Sequence, residues 1–372
     1  MRKKLLFLVN IPEFFISHRL PIALAAIKQG YEVHVACSVG VGIEELRSHG
    51  IHFHKINFSR SGQNLVHELK VFYSVFNVLR SVEPHVLHLV TIKPMIYGGF
   101  FARLLGLKSV FAVTGLGTVF LDGSLWGSIR RKFVLFCYRF VLNNPNAKVI
   151  FQNGDDQTLI CKKCAVNPAK TVLIAGAGVD LIKYKYMDEP TGNVCVVVMA
   201  ARLLKDKGVH EFVDAARQLK NHPNIQFKLV GDLDPDNVSS ILPSDIELWN
   251  QEAFIEITGF QRDIAKLYSE ANIVCLPSYR EGLPKSLIEA AACGRAVVTT
   301  DTAGCRDVII PDETGLLVPV KNSVLLADAI LKLAQNPSLR KLFGANARKL
   351  AEEKFALQKI LDQHFEIYQF PD

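Results

Sequence analysis

Short apolar runs rich in β-branched residues alternate with helix-length segments from one end of the chain to the other, and the alternation breaks only once. The runs fall at residues 5–9, 32–36, 52–57, 85–90, 109–113, 148–151 and 171–174. Between them lie segments of helical length, such as 21–29, stopped by Gly30, and 65–81. At 180–193 the pattern gives way to the charged stretch DLIKYKYMDEPTGN. It then resumes with apolar runs at 194–200, 225–230, 255–258, 273–276, 296–299 and 315–318. A strand–helix–strand series of this kind implies a mostly parallel sheet with helices on both faces. The break predicts an α/β chain of two doubly wound domains, 1–183 and 194–356. A last helix over 357–372, apolar at Ile360, Phe365, Ile367 and Tyr368, is expected to pack back on the first domain.

The chain's 372 residues suffice for two such cores. Mean hydropathy is +0.19, yet no window supplies about 18 uncharged apolar residues, so no membrane-spanning helix is expected. Met1-Arg2-Lys3-Lys4 before an apolar run suggests a secretion signal, but Pro12, Glu13, His18 and Arg19 follow with no small-residue cleavage site. A first strand is the better reading. Eight scattered cysteines form no framework, and the lone Cys161/Cys164 pair has no second pair at zinc-like spacing; ordinary thiols in a reducing cytosol are expected. Charge is uneven: residues 1–185 hold 23 Lys+Arg and 10 Asp+Glu, a net +13, and residues 186–372 hold 20 and 26, a net −6. The first half therefore suits a polyanion or an anionic membrane surface. No helix-turn-helix, zinc-finger or aromatic RNA-binding pattern supports a nucleic-acid partner.

In open α/β sheets, ligands bind beyond the carboxyl ends of the strands. After the run at 194–200 come Arg202, Lys205, Lys207 and Gly208, leading into a helix. Cations at a strand-to-helix junction can neutralise a diphosphate, and the helix N-terminus adds its own positive end. A second segment, SYREGLPKSLIE, places Glu281 in a loop and Glu289 in the helix that starts near Pro284. A carboxylate can accept two hydroxyl hydrogen bonds from a ribose or hexose. Taken alone, Glu289 is equally a solvated helix residue and Glu281 a charge at a helix start.

Order and context decide. Arg202-x4-Lys207-Gly208, Thr258-Gly259-Phe260, Glu281-x7-Glu289, Gly294, Asp301, Gly304 and GLLVP over 315–319 occur in the sequence of the family 4 retaining GT-B glycosyltransferases, which the second half resembles over nearly its full length. The resemblance implies two facing Rossmann-like domains with an interdomain cleft, a nucleotide-sugar donor and no metal or other cofactor. It implies that Arg202 and Lys207 bind the donor diphosphate and that Glu281 contacts the transferred sugar. Gly282, Leu283 and Pro284 would hold sugar and phosphate, Glu289 the ribose, and Gly231, Gly259 and Phe260 would border the base.

The first half lacks the Gly-rich loop of many members. Its segment 10–21 resembles instead the subgroup acting on polyprenyl-diphosphate-linked sugars, as do His88 and Lys93 in HLVTIKP and the run Thr114, Gly115, Leu116, Gly117. This implies a lipid-linked saccharide acceptor, its diphosphate met by His18, Arg19 and Lys93, with His88, Thr114, Gly115 and Gly117 alongside. His18 and His88 are equally readable as core histidines. In WGSIRRKFVLFCYRFVL, Trp126, Ile129, Phe133, Phe136 and Phe140 share one helical face; Arg130 and Lys132 flank it, with Arg131 farther round. That is the pattern of an interfacial helix, and with the +13 charge it predicts peripheral attachment to the cytoplasmic face of the membrane; a core helix is the alternative. The rival functions are a nucleotide-sugar 2-epimerase, which shares the architecture, and a non-catalytic assembly subunit.

Overall fold

A computed structural model describes residues 2–58, 64–117, 120 and 123–369. The chain divides into two compact units: residues up to Ala177 together with those from Ile360 on, and Gly178–Lys359. The first runs β1 (Lys4–Leu8), α1 (Pro12–His18), α2 (Leu20–Lys28), β2 (Glu32–Cys37), α3 (Ile43–Ser48), β3 (His52–Lys55), α4 (Leu65–Val82), β4 (Val86–Val90), α5 (Ile92–Leu104), β5 (Ser109–Val113), α6 (Leu125–Leu142), β6 (Ala147–Phe151), α7 (Gly154–Cys164) and β7 (Thr171–Leu173). The second runs β8 (Cys195–Ala200), α8 (Val209–Gln218), β9 (Ile225–Val230), α9 (Pro243–Glu252), β10 (Glu256–Gly259), α10 (Ile264–Ser269), β11 (Ile273–Leu276), α11 (Lys285–Ala292), β12 (Ala296–Thr300), β13 (Gly315–Val318), α12 (Ser323–Ala334) and α13 (Pro337–Leu350). Helix α14 (Leu357–Tyr368) follows, and from Ile360 it belongs to the first unit.

Among the described residues every strand pair is parallel. The sheet orders are β3-β2-β1-β4-β5-β6-β7 and β10-β9-β8-β11-β12-β13. Each order reverses direction once, between β1 and β4 and between β8 and β11, giving two doubly wound, Rossmann-like units with one switch point apiece. Central strands are apolar on both faces because helices cover both: Leu6, Leu8, Leu87, Leu89 and Phe111 pack on one side with Val71 and Val75 of α4, Met95 of α5 and Tyr138 of α6.

Two features depart from the sequence reading. The segment 10–21, to which the sequence assigns no helix before residue 21, contains α1, started by Pro12 with its preset φ and ended where Arg19 leaves helical geometry at φ −126°, ψ −17°. The break at 180–193 belongs with the second unit. Buried Arg295 donates to the carbonyls of Ala271 (3.0 Å), Asp188 (3.2 Å) and Met187, and Arg340 meets Glu189 at 2.5 Å. Asn272 donates to Glu189 at 2.6 Å, and Arg348 to the Tyr184 carbonyl at 2.9 Å. Guanidinium groups buried this deeply need acceptors, and the polar backbone of that stretch supplies them. No helix among the described residues is long and apolar enough to cross a membrane.

Candidate functional site

The second unit brings Lys207 and Glu281 together at its switch point, between β8 and β11. Arg202 lies two residues past β8, and Lys207 closes a single 3-10 turn, Lys205–Lys207. Gly208 follows at φ +76°, and a Cβ there would lie 2.1 Å from the Pro277 carbonyl oxygen, so only glycine lets the two loops close on each other. The Asp206 carbonyl accepts from the Tyr279 amide at 2.9 Å and from the Ser278 hydroxyl at 3.0 Å, tying the loop after β8 to the loop after β11. The result is a direct ion pair: Lys207 Nζ is 2.5 Å from Glu281 Oε1, the side chains 19% and 11% exposed. Behind Glu281, its amide donates to Ala303 at 3.1 Å and Thr302 holds the Tyr279 carbonyl at 3.0 Å.

Arg202 is more open, with its side chain 59% exposed and Nη1 2.7 Å from Asp234 Oδ2. Asp234 carries no signal in the sequence beyond its place just after a strand. Gly231 sits at φ +146°, where a Cβ would meet the Ala201 carbonyl oxygen at 1.8 Å, and its amide donates to Gly259 at 3.0 Å. Phe260 is exposed, its amide held by Asp232 at 3.0 Å. Arg202, Gly231 and Phe260 thus follow three neighbouring strands, β8, β9 and β10, and Gly259 ends the last of them. Gly282, Leu283 and Pro284 are buried, and α11 carries Glu289 inward at 5% exposure, 3.3 Å from Lys285. The alternative of a solvated Glu289 is therefore set aside. Nearby Tyr184 has its hydroxyl pushed well above its usual range by burial and then by the Glu289 charge.

In the first unit, His18 ends α1, half-buried, with Nδ1 2.6 Å from Ser17 Oγ and its ring stacked on Phe14 at 4.5 Å. Lys93 opens α5 after β4 and meets Glu68 at 2.7 Å; Glu68 also accepts from Tyr97. Thr114, Gly115 and Gly117 follow β5 and keep some exposure. Lys93 and these residues share the carboxyl edge of the sheet, and His18 lies at the end of the helix that follows β1.

Arg19 and His88 are interior instead. Arg19 is 1% exposed, donates from Nη1 to the His18 carbonyl at 3.2 Å, and is lowered to about 10 by desolvation, against the pull of Tyr368. His88 is fully buried, with Nδ1 2.7 Å from the Tyr368 hydroxyl of α14 and its ring stacked on His364 at 5.9 Å. Burial, Arg19 and His364 hold its pKa well below the histidine range. The core reading applies to His88, a strand residue whose helix partner lies 280 positions away and is invisible to local pattern.

Helix α6 turns Val134, Tyr138, Val141 and Leu142 inward. It leaves Trp126 (74% exposed), Ile129, Phe133 and Phe136 (72%) outside, with Arg130 and Lys132 exposed and Arg131 half-buried. The aromatic stripe is not part of the core. Among the described residues, no group of three or more His, Cys, Asp or Glu could hold a metal ion.

Two family models match the chain: glycosyl transferases group 1 over residues 189–350 and glycosyl transferase 4-like over residues 4–153. The chain is 30% identical to the N,N'-diacetylbacillosaminyl-diphospho-undecaprenol alpha-1,3-N-acetylgalactosaminyltransferase of Campylobacter jejuni, over 93% of this chain and 96% of that one. It is 22% identical, over 82% and 80%, to the Escherichia coli UDP-Gal:alpha-D-GlcNAc-diphosphoundecaprenol alpha-1,3-galactosyltransferase. Among solved structures, the fold matches Anabaena HepE, crystallised with UDP and glucose (TM-score 0.77, 20% identical, 98% and 99% covered). It also matches the sucrose-phosphate synthase of Thermosynechococcus elongatus (TM-score 0.82, 20% identical, 99% and 98% covered).

Proposed function

The chain belongs to the group 1, family 4-like glycosyltransferases, and on that premise we propose that it moves a sugar from a nucleotide diphosphate to a saccharide carried on a polyprenyl diphosphate, in surface polysaccharide or glycan assembly. The donor is a UDP-hexose or UDP-N-acetylhexosamine, the anomeric configuration is retained, and no metal takes part. The observation that carries this reading is the Lys207–Glu281 pair at the switch point, with the exposed cation of Arg202 on the same edge. Both relatives named above act, by their names, on diphospho-undecaprenol-linked sugars.

Arg202 and Lys207 bind the donor diphosphate and stabilise the charge that grows on it as it leaves. Glu281, held by Lys207, orients the transferred sugar, with the backbone of Gly282 and Leu283 and the start of α11 at Pro284 beside it. Glu289 takes the ribose, and Gly231, Gly259 and Phe260 border the base. The acceptor hydroxyl attacks the anomeric carbon from the side of the leaving diphosphate. The new C–O bond forms as the bond to phosphate breaks, and the hydroxyl proton passes to a phosphate oxygen. The protein contributes positioning and charge rather than acid–base chemistry.

His18, Lys93, Thr114, Gly115 and Gly117 meet the acceptor, and Arg19, donating to the His18 carbonyl, steadies that residue from inside. The aromatic and basic face of α6 (Trp126, Arg130, Lys132 and Phe133, exposed, with half-buried Arg131) brings the enzyme to the cytoplasmic face of the membrane. A donor screen against a short-chain polyprenyl-diphosphate sugar tests the reading. Nucleoside diphosphate should be released only when the acceptor is present, with an α-linked product by NMR. Release without acceptor, together with a C2-inverted sugar, would make the protein an epimerase.

A further inference from the structure

We propose that α4 and α6 form one lipid-facing platform along the ligand-binding edge of the first unit, seated on an anionic bilayer with Lys93 between its two anchors. The inference rests on transfer to a lipid-linked acceptor and adds a second anchoring helix that the pattern of α6 does not contain.

Helix α4 buries Val71, Val75, Leu79 and Val82 in the core. Its opposite side should then be polar, yet Leu65 (76% exposed), Val66, Leu69 and Tyr73 (64%) lie outside within its first three turns. Single exposed apolar residues are ordinary, whereas a contiguous set marks an interface. Partly buried aromatics join the three helices, and from Phe140 the stripe of α6 runs back through Phe136 and Phe133 toward Trp126 at helical spacing. Tyr73 neighbours Phe76 at 6.4 Å, Phe72 meets Phe100 of α5 at 5.3 Å, and Phe100 meets Phe140 of α6 at 5.8 Å. Arg103 lies over the Phe140 ring at 4.5 Å.

Topology sets the position of this surface. In a parallel sheet each helix begins at the carboxyl edge of the strand before it, and α4, α5 and α6 follow β3, β4 and β5. Leu65 to Tyr73 and Trp126 to Phe133 therefore lie along the same edge as Lys93, and the Lys93–Glu68 pair at 2.7 Å links the first turns of α4 and α5.

Charge selects the occupant. The three helices carry eight Lys or Arg and one acid, Glu68, which is already engaged by Lys93 and Tyr97. A second copy docked face to face would set like charge against like; an anionic lipid surface is complementary. Apolar side chains enter the acyl boundary while Lys70, Arg130, Lys132 and Arg139 remain at the phosphate level.

The test compares three full-length variants with the parent: Leu65→Ser/Leu69→Ser/Tyr73→Ser in α4, Trp126→Ser/Phe133→Ser/Phe136→Ser in α6, and both sets combined. Vesicles of equimolar phosphatidylcholine and phosphatidylglycerol are the probe, read by co-sedimentation. Each triple change should weaken vesicle binding about tenfold or more, and the combination should abolish it. Melting temperatures and turnover on a short-chain, water-soluble acceptor should be unchanged, because these side chains are exposed and outside the reacting centre. Turnover on a long-chain acceptor in vesicles should fall in parallel with binding. Unchanged vesicle binding in the α4 variant, with loss in the α6 variant, overturns the two-helix platform. Equal binding to pure phosphatidylcholine overturns the choice of an anionic surface. A parent dimer that the α4 variant dissociates assigns the face to a second copy and overturns the platform as well. Failure of the parent to transfer to any acceptor would instead remove the proposed reaction, whatever the vesicles show.

Discussion

Lys207 Nζ lies 2.5 Å from Glu281 Oε1, although 74 residues separate the two in the chain. They meet because β8 and β11 are neighbours in the sheet while two other strands intervene in sequence. The pair fixes the direction of the lysine and the height of the carboxylate together, as expected of groups that serve adjoining parts of one ligand.

Removing the lysine should have two separable effects. Lys207→Ala should lower kcat/KM by about 2–4 kcal/mol of transition-state stabilisation, as for loss of a preorganised charge at a leaving group. It should also lower the melting temperature, because the largely buried Glu281 carboxylate loses the ammonium at 2.5 Å. Lys207→Ala/Glu281→Gln should recover the stability and none of the activity. Near-normal turnover in the single variant would remove Lys207 from the mechanism.

The two glutamates should divide their duties. Glu289→Gln should weaken binding of free UDP, because a ribose contact does not depend on the sugar. Glu281→Gln should slow transfer while leaving UDP affinity nearly intact. Calorimetry on both variants checks this, and equal losses of UDP affinity would contradict the division.

Acid should loosen the first unit. Burial, reinforced by Arg19, lowers His364 to about 3 and holds His88 well below the usual 6.5. Folded-state values below the unfolded one mean that the unfolded chain binds more protons, so this stability is present above about pH 6.5 and falls as pH drops below it. Each histidine contributes a slope of at most about 1.4 kcal/mol per pH unit over that window. A His364→Leu variant should lose less stability than the parent between neutral pH and about pH 5. Identical acid limbs in chemical denaturation would refute the assignment.

Tyr368→Phe tests the tie between α14 and the central strand. It leaves His88 Nδ1, fully buried, without its 2.7 Å partner, at a cost of about 1–3 kcal/mol. Unchanged stability would mean that the hydroxyl holds nothing in place.

Gly208→Ala should be among the most damaging single-atom additions in the second unit. The residue sits at φ +76° with the Pro277 carbonyl oxygen 2.1 Å from the new Cβ. Left-handed strain and displacement of the Lys207 turn together should cost about 2–4 kcal/mol and most of the activity. A variant with the parent's melting temperature would show that the loop can relax.

The runs at 109–113 and 273–276 were legible to the residue, because a fully buried parallel strand leaves a near-continuous apolar run and needs no knowledge of its neighbours; the run at 225–230 was legible although Gln226 is exposed and Lys228 half-buried. The spacing of Glu281 and Glu289 and the cations after β8 were legible for the same reason: each lies within one loop and the helix after it. Helix α1 was not, since PEFFISH is short and Pro12, its start signal, reads equally as a loop residue. Asp234 and Arg202 were not paired by any pattern, because their contact depends on the adjacency of β8 and β9.

By itself the sequence determined the two α/β units, their strand positions and the segments that carry the charged residues, since those follow from local periodicity and turn chemistry. Only the tertiary structure decided which of those residues share a site and which are interior. Arg19 reads in sequence as an acceptor ligand and His88 equally as a ligand or a core histidine, and both are buried because α14 packs against them. The aromatic stripe of α6, read in sequence as an interfacial face with a core face as the alternative, is exposed because its other side, with Tyr138 and Val141, already covers the sheet. A residue's spacing records the face of its own helix or strand, whereas burial depends on what the rest of the chain lays over that face, and that is a non-local property.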